Sequence, residues 1–245
     1  MTKTTAIDTE LALDELVASL DWPMIRETMD DKGYAALPPI LTQDECHDLR
    51  ALYDDDRRFR SHIDMARFRF GEGEYKYFAR PLPGAIQTLR MAFYPQLAAI
   101  ANGWMERLGN ATRYSADLSS FLEQCHAVGQ TKPTPLLLRY EAGGYNCLHQ
   151  DLYGEHVFPL QIAILLSEPG RDFTGGEFVM TEQRPRMQSR PMVVPLGKGD
   201  GVVFAVNHRP VQGKKSVYRV NLRHGVSRLH SGSRHTLGII FHEAK

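Results

Sequence analysis

No two cysteines of this 245-residue chain are spaced as a pair: Cys46, Cys125 and Cys147 stand far apart, and no C-x-x-C occurs. An odd, scattered set argues for free thiols in a reducing compartment and against a zinc ribbon. No apolar run approaches the ~18 residues that a membrane helix needs. The first sixteen residues, MTKTTAIDTELALDEL, lack the apolar core of a signal peptide. These absences predict a cytoplasmic protein without a membrane partner. Internal repeats and low-complexity tracts are missing too. Net charge is zero and the pI is about 7.2, so the strong overall basicity of many nucleic-acid binders is lacking as well.

What is present is enough to build a core. At 42% hydrophobic content, the chain fits one large domain or one domain with an N-terminal extension, stable without disulfides or a structural metal. Its charge is unevenly placed. Residues 1–56 carry fourteen Asp and Glu against four Lys and Arg, while residues 184–235 carry eleven Lys and Arg against one Asp. Such asymmetry either focuses an anionic ligand onto one face or reflects two segments that lie against each other.

Two kinds of periodicity divide the chain. Residues 8–32 read as two short amphipathic helices, with Leu11, Leu13, Leu16, Val17 and Leu20 at near-helical spacing. YAALP (34–38) reads as a strand, and Thr42-Gln-Asp-Glu45 as a capping box that opens a helix. Longer helices are expected from about Ile86 to about Leu108 and over 116–128. From Pro133 onward short apolar runs alternate with Gly-rich turns. The expected strands are 135–140, 158–166, 176–180, 192–195, 201–206, 217–222 and 235–241, with turns at Gly175-Gly176 and a hairpin turn at Gly199-Asp200. The fold class is therefore α+β with a mainly β core: residues 1–132 form a helical region with a lid hairpin near 65–80, integral to the fold, and residues 133–245 form a β-roll.

The chemistry centres on His149-Gln150-Asp151. In an extended segment residues i and i+2 point to the same side, so an imidazole and a carboxylate converge. One further histidine completes a two-His, one-carboxylate set, which suits Fe(II) and leaves positions open for other ligands. H-x-D alone is weak: with ten histidines about one chance match is expected, and His62-Ile63-Asp64 is such a match. His62 has no comparable surroundings and reads as a surface or capping residue. His208, His224, His230 and His235 all fall after the Gly199-Asp200 turn. His224 precedes Arg234 by ten residues, whereas Tyr218 stands ten after His208, and His230 is only four residues before Arg234. Spacing alone leaves the third ligand open, with His224 and His208 the main candidates.

The surrounding string is R-Y-x-x-G-x-Y-x-x-x-H-x-D from Arg139, then G-G-E from Gly175, G-D-x-V-x-F from Gly199, and H-x-V-x-x-L-x-x-G-x-R from His224. In that order it resembles the Fe(II)/2-oxoglutarate-dependent oxygenases, in the branch that holds prolyl hydroxylases and AlkB-type nucleic-acid demethylases. The stretches LLLRYEAGGYNCLHQDLYG, GRDFTGGEFVMTEQRPRMQSR and RVNLRHGVSRLHSGSRHTLGIIFH also resemble a bacterial family labelled as oxygenases acting on damaged DNA. The resemblance implies a double-stranded β-helix, or jelly roll, with N-terminal helices packed against it. It implies His149, Asp151 and His224 as metal ligands, Arg234 as the partner of the 2-oxoglutarate C5 carboxylate, and Tyr140 as a co-substrate contact. A guanidinium matches a carboxylate bidentately, and Thr236 lies on the same strand face as Arg234. Fe(II), 2-oxoglutarate and O2 are thus the expected cofactors, and Gly175-Gly176, Glu177 and Gly199-Asp200 are read as turn residues.

For the substrate the sequence offers residues 67–78, RFRFGEGEYKYF. Read as a hairpin, they place Phe68 and Phe70 on one side and Arg67 and Arg69 on the other, with Tyr75 and Tyr77 on the return arm. Such a flap would stack a base and hold phosphates, which makes nucleic acid the expected partner and oxidative dealkylation of a damaged base the expected reaction. A protein, peptide or amino-acid (prolyl-type) hydroxylase fits the same motif layout. A non-enzymatic jelly-roll binding module is the third reading.

Overall fold

Side chains that satisfy the first free N–H groups of a helix decide where the helices begin. Asp21 accepts from Met24 N at the start of α2 (Trp22–Lys32), and Asp117 accepts from Ser120 N at the start of α5 (Leu118–Ala127). The capping box of Thr42 and Glu45 opens α3 (Gln43–Ala51). In this computed structural model, residues 6–245 are described. The five residues before them, with part of the N-terminal reading, lie outside the described residues, as does the side chain of Leu11. Helix α1 (Ala6–Ser19) buries Leu13 and Val17, and α4 (Gly84–Arg107) is the longest helix of the fold. No described helix is long and apolar enough to cross a membrane, which says nothing of strand-built spans.

Among the described residues are fourteen strands, beginning with β1 (Tyr34–Pro39), β2 (Phe59–Asp64), β3 (Gly71–Glu72), β4 (Glu74–Phe78), β5 (Leu136–Glu141), β6 (Tyr145–His149) and β7 (Leu160–Leu165). Then come β8 (Phe173–Gly175), β9 (Phe178–Gln183), β10 (Arg190–Val194), β11 (Asp200–Ala205), β12 (His208–Gln212), β13 (Val217–Val226) and β14 (Leu229–Ile239). They build two antiparallel sheets. The major sheet runs β1-β11-β7-β14-β5-β4-β2, with β8 on β14; the minor sheet runs β10-β9-β13-β6-β3, with β12 on β13. This is the expected jelly roll with helices against it. The N-terminal region also gives β1, β2 and β4 to the major sheet and β3 to the minor one. The acidic and basic segments meet here: β1 pairs with β11, and Arg209 donates to the Asp30 carbonyl at 2.7 Å. Among the described residues no side-chain ion pair joins them.

Alternation divides the major sheet's two faces. Leu137, Ile164, Leu237, Ile239 and Phe241 join one apolar core with the buried stripe of α4, which includes Leu89, Phe93, Leu97 and Ala101. Arg90 of that helix, also buried, donates to the Ile240 and Phe241 carbonyls and ties helix to strand. Phe158 sits at the centre of an aromatic cluster, 5.0 Å from Tyr94, 5.0 Å from Tyr114 and 5.2 Å from Phe241. Phe158→Ala is expected to cost about 3–5 kcal/mol of stability, read as a lowered urea midpoint at unchanged m-value. A loss below about 1 kcal/mol would mean that the cluster is not the core it resembles.

Two buried histidines make the fold acid-sensitive. Burial pushes the His235 ring down to about 3, aided by Arg50, and the His242 ring down to about 4. Both are neutral in the folded chain, while an unfolded histidine takes up its proton near ~6.5. Their stabilising contribution is therefore present above about pH 6.5 and is lost as the pH falls toward 4 and then 3. The slope is expected to reach about 1.4 kcal/mol per pH unit for each histidine. Urea midpoints that stay flat from pH 7 to 4.5 would contradict this.

Two turn expectations change. Gly199-Asp200 is not a hairpin turn: β10 pairs with β9, whereas β11 pairs with β1 and β7, so the segment carries the chain from one sheet to the other. The hairpin near 65–80 begins earlier than its pattern suggests, because β2 at 59–64 is the strand that pairs with β4. Met65 is buried, and its carbonyl accepts from Phe68 N at 3.1 Å and Phe70 N at 3.0 Å. That winds residues 66–68 into a 3-10 turn and puts Arg69 at φ 62°. Phe68 and Phe70 therefore do not alternate with the arginines on a strand; their rings stack on each other at 5.6 Å.

Candidate active site

His149 ends β6 directly opposite His224 on β13. Gly225 allows the two strands this approach: a Cβ there would lie 2.6 Å from the Asn146 carbonyl oxygen. Asp151 lies beyond the strand end, where alternation alone would not hold it. Gln150 does so, donating Nε2 to the Asn207 carbonyl at 2.9 Å and the Leu222 carbonyl at 2.8 Å. With residue 150 tied outward, residue 151 faces the same side as residue 149.

The three side chains converge. His149 Nε2 lies 3.5 Å from Asp151 Oδ1, and His224 Nε2 lies 3.5 Å from Asp151 Oδ2. Ligand atoms of all three fall within 4.8 Å of one another, the one such group among the described residues. His149 Nδ1 meets the Cys147 carbonyl at 2.8 Å; as a donor there, it leaves Nε2 unprotonated toward the group. The His224 ring is held by Phe204 at 4.6 Å and Phe178 at 6.1 Å. Burial, and then the neighbouring His224, lowers the His149 pKa. Burial pushes the Asp151 carboxyl up, but His224, His149 and Gln161 outweigh it and hold it at about 2. A neutral imidazole and a permanent carboxylate are what a hard-to-borderline divalent cation takes as ligands. The donor set therefore fits Fe(II).

These residues form part of the wall of a cavity of about 470 Å³. Its floor is the inner face of the major sheet, where a row runs from Ala163 to Gly238, Leu136 and Tyr77 on adjacent strands. Ala163 and Gly238 leave room in the middle of that row: a Cβ on Gly238 would stand 2.8 Å from Leu136 Cδ2. Arg234 lies two residues further along β14 from Thr236, only 2% exposed, and opens on the same cavity. Its Nη1 donates to Thr236 Oγ1 at 2.6 Å, and its Nε is buried with no partner. Among the described residues no carboxylate pairs with it; the Tyr140 and Phe173 rings each lie 5.8 Å from the guanidinium carbon. Burial lowers its pKa to about 10. A buried cation without an anion is costly, and an arginine in that state beside a cavity is set for an anionic ligand.

The expected site residues thus divide. Arg69, Tyr75, Tyr77, Arg234 and Thr236 line the cavity with His149, Asp151 and His224. Tyr140 is fully buried behind the wall, its hydroxyl receiving a bond from Asn146 Nδ2 at 3.3 Å. Arg67 is exposed and lies off the cavity wall. His208 lies on β12 opposite Asn221, on the same side of β13 as β6 but further along it, and is not in the group with His149, Asp151 and His224. His62 is at the surface, paired with Glu74. Glu177 receives a bond from Ser227. Two cavity residues escape the motif reading. Gln161 is buried with its amide toward the Asp151 carboxyl, and the Tyr153 hydroxyl is buried beside Tyr77. Gln161 left a signal, a lone amide inside the apolar run FPLQIAILL.

The chain matches the family described as "Oxygenase, catalysing oxidative methylation of damaged DNA" over residues 73–244. An uncharacterized protein of Mycobacterium tuberculosis is 47% identical over 167 residues, 68% of this chain and 72% of that one. Among solved structures, a Trichoplax adhaerens prolyl hydroxylase in complex with a hypoxia inducible factor peptide fragment aligns at a TM-score of 0.56. It is 14% identical and covers 95% of this chain and 91% of its own. A 2OG-Fe(II) oxygenase family oxidoreductase of Burkholderia pseudomallei aligns at 0.53, 14% identical, over 92% and 93%. At 14% identity these two likenesses concern the fold.

Proposed function

Because the chain belongs to this oxygenase family, we propose that it is an Fe(II)- and 2-oxoglutarate-dependent enzyme that removes alkyl damage from nucleic acid by hydroxylating the carbon attached to a base nitrogen. The observation that carries the chemical part is one cavity walled by both the His149, Asp151 and His224 group and the unpaired Arg234 guanidinium. In this reading the three ligands hold the iron and Arg234 grips the C5 carboxylate of 2-oxoglutarate through its free donors, with Thr236 fixing the plane of the guanidinium. When bound, iron, 2-oxoglutarate and O2 supply the oxidising power, yielding succinate, carbon dioxide and one oxygen atom for a substrate C–H bond.

The chain's own contributions are orientation and exclusion of water. Phe178 and Phe204 keep the His224 ring in place, and Gln150 fixes the Asp151 backbone. The apolar floor of Leu136, Ala163, Gly238 and Ile240 keeps the reacting volume dry. Tyr75, Tyr77 and Arg69 line the same cavity and contact the substrate. Insertion of oxygen into an N-methyl C–H bond gives N–CH2OH, which breaks to N–H and formaldehyde. Nucleic acid as the substrate rests on the family's description and on the aromatic and basic side chains at the mouth.

A substrate screen tests it. With Fe(II) and 2-oxoglutarate, methylated oligonucleotides are expected to stimulate succinate release, with one formaldehyde formed per demethylation, while proline peptides do not. Stimulation by proline peptides and none by methylated oligonucleotides would replace this reading with peptide hydroxylation.

A further inference from the structure

Large apolar side chains that stay in water mark binding surfaces when they gather. Four gather here. Phe68 is 50% exposed, Phe70 47%, Leu148 41% and Leu152 52%, and Phe70, Leu148 and Leu152 all border the mouth of the cavity that holds the His149, Asp151 and His224 group. Phe68 joins them through Phe70, the two rings 5.6 Å apart and inclined by only 21°.

The loop that carries this pair is held firmly. Met65 anchors it in the smaller core, Met65 N donates to the Gly73 carbonyl at 2.9 Å, and Cys147 N donates to the Phe70 carbonyl at 2.8 Å. Gly71 pairs with Asn146. Arg69, between Phe68 and Phe70 in the sequence, is one of two non-glycine residues with positive φ among the described residues, a conformation that costs free energy. Charge is sorted across the loop. Its carboxylates, Asp64 and Glu72, line a separate depression with His62, Glu74 and Arg139, whereas Arg69 lines the cavity. Among the described residues neither Arg67 nor Arg69 has an ion-pair partner.

Two near-parallel aromatic rings exposed to water, on a loop that also carries two arginines without ion-pair partners, match one ligand chemistry: a nucleobase joined to phosphates. Bases stack on such faces whatever their identity, and arginine takes the phosphates. We infer that the Phe68–Phe70 pair is a stacking platform for the nucleotide that flanks the target, with Arg67 and Arg69 on the adjoining phosphates. The target base is thereby guided past Leu148 and Leu152 into the cavity. This rests on the nucleic-acid reading above and adds to it a second subsite, outside the cavity.

The test uses the full chain loaded with Fe(II) and 2-oxoglutarate, without O2. Binding of fluorescein-labelled methylated oligonucleotides is measured with the flanking nucleotides either intact or abasic. For the wild-type chain, removal of the flanking bases is expected to raise Kd roughly ten- to a hundredfold. In Phe68→Leu/Phe70→Leu the intact oligonucleotide is expected to bind with that same raised Kd, and the abasic flank to make no further difference. Phe70→Trp, which keeps a stacking face, is expected to preserve the distinction; thermal melting confirms that each variant is folded. Arg67→Gln and Arg69→Gln are each expected to reduce the salt dependence of binding by about one counterion. A folded double variant that still distinguishes intact from abasic flanks overturns the platform. So does one that loses affinity for proline peptides and not for oligonucleotides. Turnover of a methylated mononucleoside separates the two readings. If it is turned over while the platform fails, the dealkylation reading stands alone; if no methylated nucleoside or oligonucleotide is bound or turned over, both fall.

Discussion

Asp151→Ala is expected to abolish metal binding and turnover together. The Asp151 carboxylate is the one anionic member of the group, held charged at about 2 and placed 3.5 Å from each imidazole Nε2. Without it, two neutral imidazoles face a divalent cation with no compensating charge. Loss of a residue that merely orients a metal ligand costs roughly 10- to 100-fold in affinity, so loss of the ligand itself should exceed about 100-fold. Anaerobic titration with Fe(II) and 2-oxoglutarate gives the readout, a visible charge-transfer band that appears with wild type and not with the variant. Because residue 151 follows β6 in a segment tied down by Gln150, the far-ultraviolet circular dichroism should not change. Asp151→Asn keeps the shape and removes the charge, and should fail nearly as completely. His149→Ala and His224→Ala are expected to behave likewise, whereas His208→Ala should retain the band. A full-strength band in Asp151→Ala would remove the metal centre from this cavity.

Arg234→Met is expected to make the metal-free protein more stable while it destroys co-substrate binding. The wild-type guanidinium is 2% exposed, its Nε has no partner, and the flanking rings at 5.8 Å replace little of the lost hydration. A buried charge of this kind is a standing cost, and replacing buried ionic groups by apolar ones of similar volume often stabilises by about 1–4 kcal/mol. The melting temperature of Arg234→Met without ligands should therefore rise. Binding should move the other way: truncating one partner of a buried charge pair costs about 2–5 kcal/mol, roughly thirty- to several-thousand-fold in Kd. Wild type should also gain about 2.7 kcal/mol from 2-oxoglutarate at a hundredfold excess over Kd, and the variant should gain almost nothing. An Arg234→Met protein that melts lower than wild type and keeps its KM for 2-oxoglutarate would show that the guanidinium is structural.

The likeness to solved prolyl hydroxylases bears on the roll and not on the substrate. A jelly roll offers the same inner faces whatever stands at its mouth, and what an enzyme acts on is set by the residues there. In this chain those are Arg69, Phe70, Leu148 and Leu152 with the tyrosines 75 and 77, which is why the substrate screen and the flanking-base experiment carry the question of substrate.

Much of the centre was legible in the amino-acid order because its spacing is short-range physics. H-x-D places two donors on one side of an extended segment, and the offset of ten from His224 to Arg234 spans one turn between two strands. The roll was legible for the same reason, through runs of period two punctuated by glycine. Position in space was not. The offset to Arg234 in the family pattern favoured His224 over His208, and the pairing of β13 with β6 set His224 opposite His149. Tyr140 and Thr236 share a face with Arg234 by alternation, yet packing alone decided that Tyr140 is sealed behind the guanidinium and that Thr236 bonds it. The hairpin pattern at 67–78 was misleading because a buried Met65 winds the chain where alternation promised a strand. Composition and periodicity therefore determined the class of fold, and motif spacing named the candidate donors, since both follow from which groups must be buried and which face each residue takes. The enclosed cavity, its unpaired arginine and its exposed aromatic rim were decided only by the closing of one sheet on the other, a property of contacts between residues far apart in the chain.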